Sequence, residues 1–292
     1  MFDDYIPIDK SWTMRMGLLD LLNEESHTLK VLAREKELGD DLLALRRCIV
    51  DWKSDRSLEV GESGTLYRFL QFASWKLNLN KQFVLTGSLK DRHITQNPDI
   101  VRYPLAELLT LDNGTSQWAS AAVLMGNDEV IENPPYKLAL TYEALAHWKK
   151  RRKRKKQWTV RKDETILRQA TTFFGMLVEK ESLFSPEQAE DYCFARAFGY
   201  ISKDEGARRW PSLRGHESDR IEEMEHALRS LEAGGPIISK DHRVVQAIVM
   251  LAIREGMAAD IVYPSSVNKS WPQFWEFVES LSLEDIEDVA GA

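Results

Sequence analysis

Apolar positions in this chain recur at the spacing of one helix face, and each run is entered through a short polar or glycine-containing loop. Asp9-Lys10-Ser11 precedes a run over residues 14–22, Gly61-Glu62-Ser63-Gly64-Thr65 one over 66–75, and Asp112-Asn113-Gly114-Thr115-Ser116 one over 117–125. In the second half Lys162-Asp163-Glu164-Thr165 opens 166–177, Glu190-Asp191 opens 192–201, and Lys240-Asp241 opens 242–253. Each entry carries Ser, Thr, Asp or Asn where a helix cap belongs, and most place a Lys or Arg beside it. A cap next to a cation favours bound anions, because free amides and the positive helix end point the same way. Further amphipathic helices are predicted over 39–52 and 217–231, the latter with Ile221, Met224, Leu228 and Leu231 on one face. Extended pieces at 82–86 and 261–263 are short. The pattern predicts an α/β chain in which helices outweigh strands, and the uneven spacing of the entries argues against a solenoid.

A length of 292 residues with 43% hydrophobic positions, nine Trp and eleven Phe supplies enough apolar area for two domains with cores of their own. Only 15 Gly and 10 Pro are too few for an all-β sandwich with frequent turns. Cys48 and Cys193 lie in apolar helical contexts without metal-ligand spacing, so two buried thiols are expected and no disulfide framework or cysteine zinc site. The longest apolar run, residues 247–253, falls well below the ~18 residues a membrane helix needs. With an opening of Met1-Phe2-Asp3-Asp4, a soluble, cytoplasmic protein without membrane contact is expected. Net charge is −7, yet the residues from Lys149 to Lys156 are all basic, leaving the remainder far more acidic than that figure suggests. A bulk nucleic-acid binder would not distribute charge in this way. The basic run follows a predicted helix over 142–148 and reads as the exposed connection between two halves, as a solvated helix end, or as a phosphate or RNA patch.

The densest candidate chemistry is Leu213-Arg214-Gly215-His216-Glu217-Ser218-Asp219-Arg220, followed by Asp241-His242-Arg243 and Asn268-Lys269-Ser270-Trp271-Pro272. These segments resemble, in order, the C-terminal motifs of the 5-enolpyruvylshikimate-3-phosphate synthase family of enolpyruvyl transferases. The first half is similar to the same family. Ile6-Pro7-Ile8-Asp9-Lys10-Ser11 with Arg15 resembles its opening, Gly61-Glu62-Ser63-Gly64-Thr65-Leu66-Tyr67-Arg68 its glycine loop, and Leu85-Thr86-Gly87 with Asp91-Arg92-His93-Ile94 the next segment. Thr115-Ser116-Gln117-Trp118 and Pro135-Tyr136 complete the series, which spans nearly the whole chain.

The resemblance implies a transferase, 3-phosphoshikimate 1-carboxyvinyltransferase, that moves the enolpyruvyl group of phosphoenolpyruvate to the 5-hydroxyl of shikimate 3-phosphate through a tetrahedral adduct. Phosphate is released, as in aromatic amino acid biosynthesis, and no cofactor or metal takes part. Carried over residue by residue, it implies that Lys10, Ser11, Arg15, Thr115, Ser116, Gln117, Asn133, Tyr136, Asp191 and His216 meet shikimate 3-phosphate. Lys10, Gly64, Arg68, Arg92, Gln117, Arg220, Arg243 and Lys269 would hold phosphoenolpyruvate. Asp191 would take the attacking hydroxyl's proton, Glu217 would handle the proton at the methylene carbon, and Lys10 would act with them. The cations in this set exceed the carboxylates by about the roughly −5 to −6 charge the two substrates bring.

Departures from the family pattern are Glu62 for Asn, Ser63 for Ala, His216 for Lys, Asn133 for Ser and Ser212 for Asn. Glu62 is expected either to repel an anion or to pair with Arg68. The chain is also shorter than family members. The implied fold is therefore the family's two-domain inside-out α/β barrel with trimmed βαβαββ subdomains, each domain directing three parallel helices at an interdomain cleft. Domains are expected at 9–148 and 158–292, joined by a basic linker at 149–157, with residues 1–8 crossing back. A monomer is expected, with small-molecule partners and no nucleic acid. An alternative is a homologue that binds the sugar-like phosphate without turnover. Transfer to a nucleotide sugar is disfavoured because the loop after Gly87 has no Cys.

Overall fold

Helix α1 (Lys10–Leu22) is buried on every side from Trp12 to Leu21, as a central helix must be. Asp9 starts it by accepting the Trp12 amide at 2.9 Å. Around it pack α2 (His27–Leu32), α3 (Asp40–Asp51), α4 (Gly64–Lys76), α7 (Gln117–Leu124) and α8 (Tyr136–Lys153), with short turns α5 (Leu105–Leu108) and α6 (Leu111–Gly114) between. Side-chain contacts from α1 to α8 advance together, Ser11 to Lys137, Arg15 to Thr141 and Asp20 to Trp148, so the two helices run in the same direction. Strands β1 (Leu58–Gly61) and β2 (Phe83–Leu85) flank α4 and pair in parallel, Leu58 opposite Phe83 and Gly61 opposite Leu85. Leu58 and Val60 face inward with Glu59 exposed between them.

The computed structural model describes residues 4–154, 156, 158–179, 182–214 and 219–281. It divides into two units, Ile8–Arg161, which holds the elements above, and Met1–Pro7 with Lys162–Ala292. The second unit comprises α9 (Glu164–Glu179), α10 (Tyr192–Ala197), α11 (Lys203–Arg209), α12 (Arg220–Glu232), α13 (His242–Glu255) and α14 (Phe274–Glu279). Its axis is α13, buried from His242 to Met250, capped at the start by Asp241 and closed by Gly256 in the left-handed region. Trp271 donates its indole N–H to the Tyr5 carbonyl at 2.7 Å, and Ile6 is fully buried, which is why the first described residues belong to this unit.

The molecule is mostly helical with few strands, the coarse form of the α/β expectation. The piece at 82–86 is strand β2, whereas 261–263 contributes a single parallel bridge between Ile237 and Ile261. Among the described residues β1 and β2 form the sole named sheet. The helix predicted at 39–52 is α3, and that at 217–231 corresponds from Arg220 onward to α12, where Ile221, Met224 and Leu231 are buried and Leu228 is half-buried.

Of the readings of the basic run, the helix end is the one seen: Lys149 to Lys153 continue α8, in place of the linker expected at 149–157. Arg151 turns inward, buried between Asp20 at 3.5 Å and Glu25. Trp158 donates to Asp20 at 3.1 Å, Thr159 accepts from Trp12 at 3.2 Å, and the Arg161 carbonyl accepts from Asp9 at 2.7 Å. These bonds hold residues 158–161 to the first unit and move the junction to Arg161/Lys162. Cys48 and Cys193 are free and buried, and burial pushes the Cys48 thiol up to about 12 and Cys193 up as well. No helix among the described residues is long and apolar enough to cross a membrane.

Candidate functional site

In the unit Ile8–Arg161 the first turns of α1, α7 and α8 meet at Arg15. Its guanidinium donates to Thr141 Oγ1 at 2.7 Å, to the Ser11 carbonyl at 2.8 Å, to the Lys137 carbonyl at 2.7 Å and to Ser120 Oγ at 3.4 Å. Arg15 is 2% exposed, and burial lowers its pKa to about 10 against the opposing pull of Asp9 and Tyr136. Four of its five N–H donors are used inside the fold, so it ties the three helices together.

The other cations of this end are closer to solvent. Lys10, a quarter exposed, reaches Asp41 Oδ2 on the first turn of α3 at 2.9 Å. Lys137 Nζ donates to Ser11 Oγ at 3.2 Å and stands 5.1 Å from the centre of the Tyr136 ring, which is 51% exposed. Thr115 and Ser116 form the turn into α7, with Thr115 Oγ1 accepting the Gln117 amide at 3.4 Å. Asn133 is exposed, with φ of 51° on the loop before α8.

A second group forms at the start of α4. Ser63 caps the helix by accepting the Leu66 amide, and the next residue is Gly64. A Cβ there would stand 2.9 Å from Arg68 Nη1 and 3.0 Å from Arg92 Nη1, so two guanidinium groups close on this glycine. Arg68 is held by Asp112 Oδ2 at 2.7 Å and Gln117 Oε1 at 2.8 Å, while Gln117 Nε2 donates to Thr65 Oγ1 at 2.8 Å. Burial pulls the Arg68 pKa down, and the hydrogen bond and charge of Asp112 oppose it. Glu62 does not pair with Arg68. It accepts from Ser88 Oγ at 3.1 Å and fills the space over Gly87, where a Cβ would lie 1.7 Å from Glu62 Oε1. Ser88 Oγ in turn accepts from Arg92 Nη2 at 2.9 Å, so Glu62 acts on Arg92 through one hydroxyl.

In the unit Met1–Pro7 with Lys162–Ala292, the expected residues gather at the first turns of α10, α12 and α13. Arg220 Nε lies 2.8 Å from Asp241 Oδ2, and Asp241 Oδ1 accepts the Arg243 amide at 2.9 Å. Arg220, Asp241 and Arg243 all act on the thiol of Cys193, the second residue of α10. Arg243 is buried with Nη1 unpartnered. Lys269 ends the turn Pro264–Lys269 that packs on α13, and its neighbour Ser270 accepts from Gln246 Nε2 at 3.2 Å.

Asp191 does not stand open as a base. It is fully buried, accepting from Arg168 at 2.6 Å, Gln169 at 3.2 Å and the amides of Glu187 and Gln188 at 2.9 and 3.1 Å. The carboxylate that the resemblance assigns to the hydroxyl proton is here a locked cap. His216 and Glu217 lie outside the described residues.

Sequence reasoning passed over Lys137, Asp41 and Asp112. Asp112 and Asn113 sit in the left-handed region at φ 47° and 61°, and Asp112 accepts from Arg68, Thr95 and Trp118 at once. The Asp-Asn-Gly turn was the available signal for that backbone. For Lys137 the signal was its place just after Pro-Pro-Tyr at a helix start. No metal-holding group of His, Cys, Asp and Glu is found among the described residues. Protein-family models, curated proteins and solved structures give no match to this chain.

Proposed function

We propose that this chain is an enolpyruvyl transferase that joins phosphoenolpyruvate to shikimate 3-phosphate and releases phosphate. In this reading it is a cytoplasmic monomer on a trimmed form of that family's inside-out barrel, working without cofactor or metal. The observation that carries the reading is the closure of Arg68 and Arg92 on Gly64 at the start of α4. Two guanidinium groups and free helix amides around a residue without a side chain make a pocket for a carboxylate or phosphate. Gln117 links this pocket to the turn Thr115-Ser116 that the same reading gives to the sugar phosphate. Arg220, Arg243 and Lys269 serve the phosphoenolpyruvate in this reading, and Glu217 handles the methylene proton. For Asp191 to take the hydroxyl proton, its contact with Arg168 must first open.

Gly64→Ala tests the pocket. The residue lies in the first turn of a helix, where Ala is well tolerated, but its methyl crowds the buried Arg68, so the melting temperature is expected to fall while the variant still folds. The new methyl must displace a guanidinium, and KM for phosphoenolpyruvate should rise by about tenfold or more, the loss of a single charge-assisted hydrogen bond. An unchanged KM in a folded variant contradicts the pocket.

The locked Asp191 and the link from Glu62 to Arg92 favour a second reading, binding of the sugar-like phosphate without turnover. Calorimetry separates the two: heat of binding for shikimate 3-phosphate with no phosphate release selects the second, and release selects the first.

A further inference from the structure

We propose that Asn113 is a site of self-modification, where the Gly114 nitrogen closes on the Asn113 side chain and converts it to aspartate and isoaspartate. The inference stands on the backbone of the unit Ile8–Arg161 and is independent of the transferase reading. Asn113-Gly114 is the one Asn-Gly pair in the sequence. Both residues are exposed, and among the described residues the Asn113 carboxamide makes no hydrogen bond. Gly114, at φ of 79°, has no side chain to shield its nitrogen. In the reaction that nitrogen bonds to Asn113 Cγ, the Cγ–Nδ2 bond breaks, and the leaving nitrogen departs as ammonia with the amide proton of Gly114. Water then opens the succinimide at Cγ to give aspartate, or at the Asn113 main-chain carbonyl to give isoaspartate. Oxidation states are unchanged throughout.

Two other asparagines supply the contrast. Asn78 and Asn133 are also exposed and left-handed, at φ of 54° and 51°. Asn133 is followed by Pro134, which has no N–H to give up. Asn78 is followed by Leu79, whose amide is already given to the Ser74 carbonyl at 2.8 Å. The left-handed backbone is common to all three, so the following residue decides. Closure requires Asn113 to turn away from its ψ of 34°, where the Gly114 nitrogen points away from Cγ. The left-handed region is costly for a residue with a Cβ, so that turn relieves local strain.

The product bears on the rest of the unit. Isoaspartate carries the main chain through Cβ and Cγ, one atom longer, immediately after Asp112. That carboxylate accepts from Arg68 at 2.7 Å, the Thr95 amide at 2.9 Å and the Trp118 indole at 2.9 Å. A longer link shifts Asp112 against α7 and misaligns these bonds, whereas aspartate keeps the chain length and leaves them in place.

The test incubates the full chain in mildly alkaline buffer and maps its peptides by mass, with isoaspartate read by enzymatic methylation. Residue 113 is expected to exchange amide for acid in both products, with one ammonia released per converted chain, while Asn78 and Asn133 stay intact. The melting curve should gain a second, lower-melting fraction that matches the isoaspartate content. Asn113→Gly keeps the left-handed backbone and lacks the amide, so its melting curve should not change during the same incubation. No conversion at residue 113 in the folded chain while the urea-unfolded chain converts, or conversion at Asn78 or Asn133 as fast as at Asn113, overturns the inference. A chain that converts to isoaspartate yet keeps a single melting transition overturns the coupling to Asp112.

Discussion

Asp20→Asn is expected to destabilise the unit Ile8–Arg161 by about 3–5 kcal/mol, the range for breaking a buried charged network. Asp20 is fully buried in α1. One oxygen accepts from the Thr28 amide at 2.9 Å, the Thr28 hydroxyl at 2.7 Å and the Trp158 indole at 3.1 Å, and the other accepts from the Trp148 indole at 2.9 Å. Arg151 approaches the second oxygen at 3.5 Å. Every neighbour is a donor, so an amide turns one acceptor into a donor facing donors and leaves one of the two indole N–H groups unsatisfied. Because a domain holds only about 5–15 kcal/mol in total, the variant should be partly unfolded at room temperature. Urea unfolding followed by tryptophan fluorescence reads this directly, since Trp148 and Trp158 both touch the site. Arg56→Ala, at an exposed ion pair with Asp51, should leave the midpoint unmoved.

Asp112→Asn is expected to cost about 3 kcal/mol and to abolish anion binding at Gly64. The Arg68 guanidinium is buried and takes its counter-charge from Asp112 at 2.7 Å. Without that charge Arg68 must find water or shift, carrying Gln117 with it through the 2.8 Å bond. Asparagine keeps the left-handed backbone of this position, so the loss is that of the charge together with one oxygen acceptor among the donors Thr95, Arg68 and Trp118. The pH dependence has a fixed sign. Burial raises the Asp112 pKa, but hydrogen bonds from Thr95 and Arg68 and the Arg68 charge outweigh it, and the pKa settles below the ordinary value. A carboxylate with a depressed folded pKa stabilises the fold above the unfolded value of about 3.9 and loses that contribution as pH falls through the folded one. The difference between wild type and variant should be full at neutral pH and shrink below about pH 4. A constant difference down to pH 2 contradicts this account.

Helix starts were the legible part of this fold. Asp9, Ser63, Asp163 and Asp241 each accept an amide two or three residues on, as their place before an apolar run predicts. These are local bonds, so local sequence carries them. Ser116 makes no such bond because the turn before it is set by the left-handed Asp112 and Asn113. Which cations face inward was not legible. The burial of Arg15 depends on Thr141 and Lys137, more than a hundred residues away in sequence, and that of Arg151 depends on Asp20 and Glu25 in the same way. Spacing alone shows a lysine or arginine near a cap but not whether a distant acceptor draws it in. Asp191 illustrates the same limit. Its position at a helix start marks it as a cap or a base equally well, and Arg168 and Gln169 decide for the cap. The strand at 261–263 falls short because Ile237 alone meets it.

Phosphate release from phosphoenolpyruvate, with and without shikimate 3-phosphate at millimolar concentrations, tests the proposed activity most directly. The account predicts release only when both compounds are present, and loss of that release in Glu217→Gln with an unchanged melting curve. Release that ignores shikimate 3-phosphate, or no release above background in the folded wild type, contradicts it.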